Sequence, residues 1–245
     1  MIKKIANRFL DVFGFEIRRT KLSRASASHK IPDARLYRPL FSPWYGEGEF
    51  ARLFEIAATR TLVSRDRCWI LYSLARQALA VPGDFWECGV YRGGTAVILS
   101  SLVEESRDSR NLYLFDTFQG MPETDAKKDL HRKGDFSASS LQAVQDCIGE
   151  FSKRCIFRRG FIPDTFVGLE GELIAFAHVD VDIYRSVLDC LNFIWPRLSL
   201  GGFIVLDDYG FSSCPGARKA VDDFFSGSPT IPLCLPTGQA IVFKH

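Results

Sequence analysis

The sequence predicts an α/β protein of the Rossmann-like, doubly wound kind: a seven-stranded, mostly parallel sheet ending in a C-terminal antiparallel hairpin, with helices on both faces. Three observations predict it. Apolar strand patterns alternate with helical periodicities from residue 84 to residue 225, as βαβ units do. A glycine-dense turn, Gly89-Val90-Tyr91-Arg92-Gly93-Gly94, joins the first strand to its helix. Two further strand patterns at the end of the chain flank a Pro236-Thr237-Gly238 turn.

Taken in order, 37–46 is rich in aromatics and proline and reads as a loop whose rings could wall a pocket. Residues 49–58 and 65–80 carry apolar residues at helical spacing. Strands follow near 84–88, 111–115, 155–159, 173–179 and 202–206, each a short run of apolar and β-favouring residues. Helices fall between them near 95–104, 139–148, 186–193 and 217–225. The tail pairs 231–235 with 239–243. The long polar stretch 120–136 is expected to be a functional loop or lid. His131 within it is a candidate proton acceptor, although a solvated loop histidine is the ordinary alternative.

The glycine turn points to a ligand. Gly89, Gly93 and Gly94 permit a sharp turn and a close backbone approach, and the helix N-terminus opening at Thr95 presents free N–H groups. Asp116 ends the next strand, where an acid about 20 residues beyond the turn holds ribose hydroxyls in this fold class. The spacing Gly89-x-x-x-Gly93-Gly94 departs from the dinucleotide fingerprint. Glu87, two residues before Gly89, suits a cationic ligand group and would repel a pyrophosphate, which favours S-adenosylmethionine over NAD. Val90, Tyr91, Thr95, Thr117, Gly160 and Phe161 are counted with these residues as cofactor contacts.

A second cluster carries the chemistry. One strand ends in His178-Val179-Asp180-Val181-Asp182 and another in Leu206-Asp207-Asp208, 27 positions apart from Asp180 to Asp207. Parallel strands put both ends on one edge, and converging carboxylates repel one another unless a cation joins them. Asp180, Asp207 and Asp208 are therefore expected to hold a hard divalent ion, Mg²⁺ or Mn²⁺, without a Cys or His companion. Helix capping is the plain alternative for each Asp. Asp180 is also the first candidate for proton acceptor, with Asp182 and Tyr184 on the acceptor side.

The motifs Gly83-Asp84-Phe85-x-Glu87-Cys88-Gly89-Val90-x-x-Gly93-Gly94, Leu114-Phe115-Asp116-Thr117-Phe118-x-Gly120-Met121-Pro122, His178-Val179-Asp180-Val181-Asp182-x-Tyr184 and Gly201-Gly202-x-Ile204-x-x-Asp207-Asp208-Tyr209 resemble the macrocin-O-methyltransferase (TylF-type) family. The resemblance covers about 61–245. It implies a class I methyltransferase fold and metal-dependent O-methylation of a hydroxyl, with a sugar of a natural product or glycan as acceptor. The first 60 residues match none of its motifs. Two rival readings remain. Asp180-Val181-Asp182 is also a D-x-D pattern, as a nucleotide-sugar glycosyltransferase would use, but that leaves Glu87 and the turn without a role. A non-enzymatic, surface-associated scaffold is the other.

The 245 residues allow one sizeable core plus an appendage, divided as 1–60 and 61–245. A net charge of +2 gives no reason to expect a nucleic-acid partner. Seven scattered cysteines without a C-x-x-C pair read as reduced thiols of a cytoplasmic protein. No apolar run reaches the length of a membrane span. Residues 1–20 combine Lys3, Lys4, Arg8, Arg18 and Arg19 with an apolar stripe of Ile2, Ile5, Phe9, Val12 and Phe13. That stripe is expected to dock on protein within a homodimer, with peripheral contact to an anionic membrane as the alternative.

Overall fold

The computed structural model describes residues 42–245. The expectations for the basic helix and linker, and for the start of the aromatic loop, lie outside the described residues. Of that loop, Pro43–Tyr45 forms a single 3-10 turn, and Trp44 packs against the core rather than on a pocket wall.

Helix α1 (Glu49–Ala57) and helix α2 (Arg65–Ala78) precede strand β1 (Asp84–Cys88). The chain continues through α3 (Gly94–Glu105), β2 (Leu112–Asp116), α4 (Leu141–Ile148), β3 (Cys155–Arg159) and β4 (Ile174–Val179). It closes with α5 (Tyr184–Arg197), β5 (Leu198–Leu206), α6 (Pro215–Phe225), β6 (Leu233–Cys234) and β7 (Ala240–Phe243). The sheet order is β3-β2-β1-β4-β5-β7-β6. The first five strands run parallel, and β7 lies antiparallel between β5 and β6. The tail therefore does form a hairpin, and its last strand is the one inserted into the sheet.

Alternating side chains separate two cores. Phe85 and Phe176 face α1 to α4, where Phe50, Leu71, Ile98 and Val144 close one layer. Trp86 and Ala177 face α5 and α6, where Val187, Leu191 and Ala220 close the other. All six residues of β4 are buried, which explains an apolar reading interrupted only by His178. Helix α1 lies before the expected boundary at residue 61, yet Phe50, Leu53 and Ala57 belong to the first core. Helix α5 runs past its expected end and takes Pro196 into its last turn. Among the described residues no helix is long and apolar enough to cross a membrane. All seven cysteines are free thiols.

Candidate functional site

The strand order reverses between β1 and β4, and a crevice is expected at the C-terminal ends of strands at such a point. It is present as a cavity of about 280 Å³. Gly89, Val90, Tyr91 and Thr95 form one wall, with Asp116, Thr117, Gly160 and Phe161 beside them. Asp180, Asp182, Asp208 and His131 also line it.

The glycines act differently from the simple expectation of clearance for a ligand. A Cβ on Gly89 (φ +87°) would overlap the Asp180 carbonyl oxygen, so this glycine lets the chain leaving β1 lie close against the chain leaving β4. Gly93, also left-handed, caps α3 and faces Val144. A Cβ on Gly94 would stand 2.7 Å from Thr61 Cβ and 2.8 Å from the Ala57 carbonyl oxygen. Neither Gly93 nor Gly94 is on the cavity wall; they seat α3 against its neighbours. That packing positions Thr61, Leu62 and Val63, which do line the cavity.

Asp116 fastens the turn. One carboxylate oxygen accepts the Val90 and Tyr91 N–H groups at 2.8 and 2.9 Å, and the other accepts Phe118 N–H at 2.7 Å. Tyr91 and Phe118 both have positive φ, uncommon without a glycine. The acid therefore holds two left-handed residues while still facing the cavity.

Glu87 is not on the cavity wall. Its side chain is 0% exposed, and its Oε1 meets His178 Nδ1 at 3.0 Å, across the β1–β4 pairing that sets Glu87 opposite His178. A direct contact with a cationic ligand group is thus replaced by a buried pair. His178 Nε2 lies 3.6 Å from Asp207 Oδ1. Burial alone would lower the His178 pKa, but the facing Asp207 carboxylate and the hydrogen-bonded Glu87 outweigh it and push it up to about 10.

Asp207 also turns inward. It pairs with Arg67 on one oxygen and accepts Gln239 Nε2 at 2.8 Å on the other. Burial would raise its pKa; His178 and Arg67 outweigh that and lower it. Asp180 remains close to both, since its carboxylate, that of Asp207 and a His178 nitrogen lie within 4.8 Å of one another. The expected absence of a histidine companion is thus corrected, although each His178 nitrogen already faces a carboxylate. Asp208 accepts the Asp182 N–H at 2.8 Å and holds that residue at φ +59°. Burial first, and then Asp207 for Asp180 and Asp182 for Asp208, raise both carboxyl groups well above the usual range.

The stretch after β2 is fixed as a cover. Asp129 accepts Tyr184 N–H at 2.8 Å, and Lys128 Nζ sits 3.7 Å from the centre of the Tyr184 ring. Tyr184 itself bonds Asp223 and is off the cavity wall, correcting its expected place on the acceptor side. The cover brings His131 inward, with its side chain 20% exposed. Its Nδ1 meets Asp135 at 3.1 Å and its Nε2 lies 3.7 Å from Asp182 Oδ1. The solvated alternative for His131 is therefore not what the fold shows. Arg67, Asp135, Cys214 and Gln239 were not legible as site residues. Long-range pairing places Arg67, Cys214 and Gln239 here, while Asp135 pairs with His131 four positions before it in a stretch whose conformation no motif signals.

Residues 57–229 match the macrocin-O-methyltransferase (TylF) family. A tetracenomycin-C 4'-O-methyltransferase of Streptomyces olivaceus, whose name specifies an 8-(2,3-dimethoxy-alpha-L-rhamnosyl) group, is 34% identical over 155 residues, 59% of this chain and 58% of that protein. Mycinamicin III 3''-O-methyltransferase of Micromonospora griseorubida is 31% identical over 180 residues, 67% of this chain and 69% of that protein. The chain thus spans less than two thirds of the first of these relatives. In fold it is similar to the O-methyltransferase NovP, with a TM-score of 0.68 at 24% identity over 76% of this chain and 82% of that one. The calicheamicin methyltransferase CalS11 gives a TM-score of 0.64 at 20% identity, over 89% and 99% of the two chains. These likenesses lend no support to the glycosyltransferase or scaffold readings. The match over more than half of its length shows that the chain belongs to the macrocin-O-methyltransferase family.

Proposed function

We propose that the chain is an S-adenosylmethionine- and metal-dependent O-methyltransferase whose acceptor is a sugar hydroxyl. The observation that carries this reading is the meeting, in one cavity, of the turn fastened by Asp116 with the carboxylates of Asp180, Asp182 and Asp208. The rhamnosyl group in the name of the Streptomyces olivaceus relative supports a sugar acceptor. Glu87, Gly93 and Gly94 serve the cofactor indirectly on this reading, by holding the strand end and the helix that form the wall.

The acids fit a hard divalent ion. The buried Asp208 and the half-buried Asp180, both held well above their usual range, are groups whose charge lacks a partner, and a cation supplies one. Asp180 and Asp208 would hold Mg²⁺ or Mn²⁺ from the cavity side, with Asp207 fixed behind them. Such an ion, when bound, lowers the pKa of an acceptor hydroxyl and orients it. The proton is assigned to Asp182, with His131 behind it and Asp135 fixing the ring. Asp180 is the weaker candidate, being committed to the cation. Much of the rate comes from holding acceptor and donor in line, so the cover residues matter as much as the acids.

Self-association through residues 1–20 and a cytoplasmic setting belong to the same proposal. Light scattering on the chain lacking its first 25 residues tests the first. Calorimetry tests the cofactor: S-adenosylhomocysteine should bind and NAD should not bind comparably. Labelled methyl transfer to nucleotide sugars and glycosides tests the acceptor, with activity lost to a chelator and restored by Mg²⁺ or Mn²⁺. NAD as the tighter ligand, or full activity in chelator, would overturn the proposal.

A further inference from the structure

On the cover side of the cavity, three different donor atoms converge from segments far apart in sequence. Cys214 Sγ lies 3.3 Å from Asp182 Oδ1 and 3.6 Å from His131 Nε2, and those two atoms are 3.7 Å apart. A tetrahedral zinc ion with bonds of about 2.3 Å to sulfur and about 2.0–2.1 Å to nitrogen and oxygen requires ligand-to-ligand edges of roughly 3.3–3.6 Å. The three distances agree with those edges to within a few tenths of an ångström.

The surroundings suit the same ion. The other nitrogen of His131 is held by Asp135, the carboxylate–histidine arrangement that orients imidazole ligands. Asp182 is aimed by its left-handed backbone, which Asp208 secures. Cys214 precedes the first residue of α6; burial and then the Asp208 carboxylate push its thiol up, so the apo protein holds it protonated and a bound cation is what would stabilise the thiolate. All three residues line the cavity, so a water or a ligand oxygen can complete four-coordination.

We infer that Cys214, His131 and Asp182 form a second metal site, selective for zinc-like ions over Mg²⁺ and distinct from the Asp180–Asp208 cluster. Binding would release the thiol proton to solvent and tie the cover to the ends of β4 and the β5–α6 loop. Sulfur and imidazole donors select Zn²⁺ or Co²⁺ over Mg²⁺, which prefers oxygen. The donor geometry stands without the methyl-transfer reading, but a zinc ion held there would occupy the Asp182 and His131 atoms assigned to the acceptor proton and so block that step while bound.

Co²⁺ titration of the reduced full-length chain, in excess Mg²⁺, tests it. The expected result is a thiolate-to-cobalt charge-transfer band that Zn²⁺ abolishes by displacement. Cys214→Ser should remove the band and weaken Zn²⁺ at least about a hundredfold. Asp135→Asn should keep the band but weaken Zn²⁺ by about 10–100-fold, as loss of an outer-shell partner does. His131→Gln provides a variant on the surface cover, expected to keep its melting temperature yet bind Zn²⁺ more weakly. The inference is overturned if wild type shows no band, if the band survives Cys214→Ser, or if His131→Gln binds Zn²⁺ as tightly as wild type.

Discussion

Replacing Asp116 by alanine removes the acceptor for three backbone N–H groups at once, those of Val90, Tyr91 and Phe118. Hydrogen bonds to a charged group contribute about 1.5–3 kcal/mol each. Water from the cavity can replace part of this, and release of the left-handed Tyr91 and Phe118 offsets more. The net loss is therefore set at roughly 2–4 kcal/mol. For a domain of this size that lowers the melting temperature by about 4–16 °C. The loosened turn should also weaken S-adenosylhomocysteine at least tenfold, about 1.4 kcal/mol. Asp116→Asn separates the effects: its amide oxygen satisfies one side while its NH₂ opposes N–H donors on the other, so an intermediate loss is expected. Thermal unfolding and calorimetry on the three proteins decide the matter. An Asp116→Ala protein with unchanged melting temperature and unchanged affinity would refute the role given to this carboxylate.

Other consequences follow from the same geometry. His178, raised from 6.5 to about 10 by Asp207 and Glu87, adds stability that is fully present below pH 6.5 and is lost as pH rises toward 10. His178→Gln should flatten that fall in a pH series of unfolding free energies. Asp208→Asn should weaken Mn²⁺ binding by calorimetry and free the Asp182 backbone, lowering methyl transfer more than cofactor affinity. Gly94→Ala forces a Cβ against Thr61 and Ala57 and should cost about 1–3 kcal/mol in chemical denaturation. Trp86, stacked on Phe193 and packed at a tilt against Phe115 and Phe166, should cost about 3–5 kcal/mol as alanine. Trp86→Phe should be milder, because Nε1 has no partner among the described residues.

What was legible follows from which signals are local. Strand β4 announces itself by an apolar run interrupted only by His178, and Asp180 and Asp208 by ending strands whose ends share an edge. The glycine turn is visible as a turn, but the purpose of each glycine is not. Gly94 answers to Thr61 and Ala57, and Gly89 to Asp180, partners that only the folded chain supplies. That Glu87 faces His178 and not the cavity is not legible in sequence, because the β1–β4 register that sets the two opposite each other is a tertiary fact. Asp207 looks like Asp208 in sequence, yet side chains alternate along a strand end, so one turns to Arg67 and the other to the cavity. Arg67 lies 140 positions from Asp207, and no periodicity carries such a pairing.

The central claim is that one cavity unites a cofactor wall with a metal-binding acid edge. A crystal structure of the full chain grown with S-adenosylhomocysteine and Mn²⁺, with anomalous data at the manganese edge, tests it most directly. The account predicts the nucleoside against Gly89–Tyr91 and Asp116, and a manganese peak between Asp180 and Asp208. Cofactor bound elsewhere, or an acid edge without manganese beside a filled cofactor wall, would contradict it.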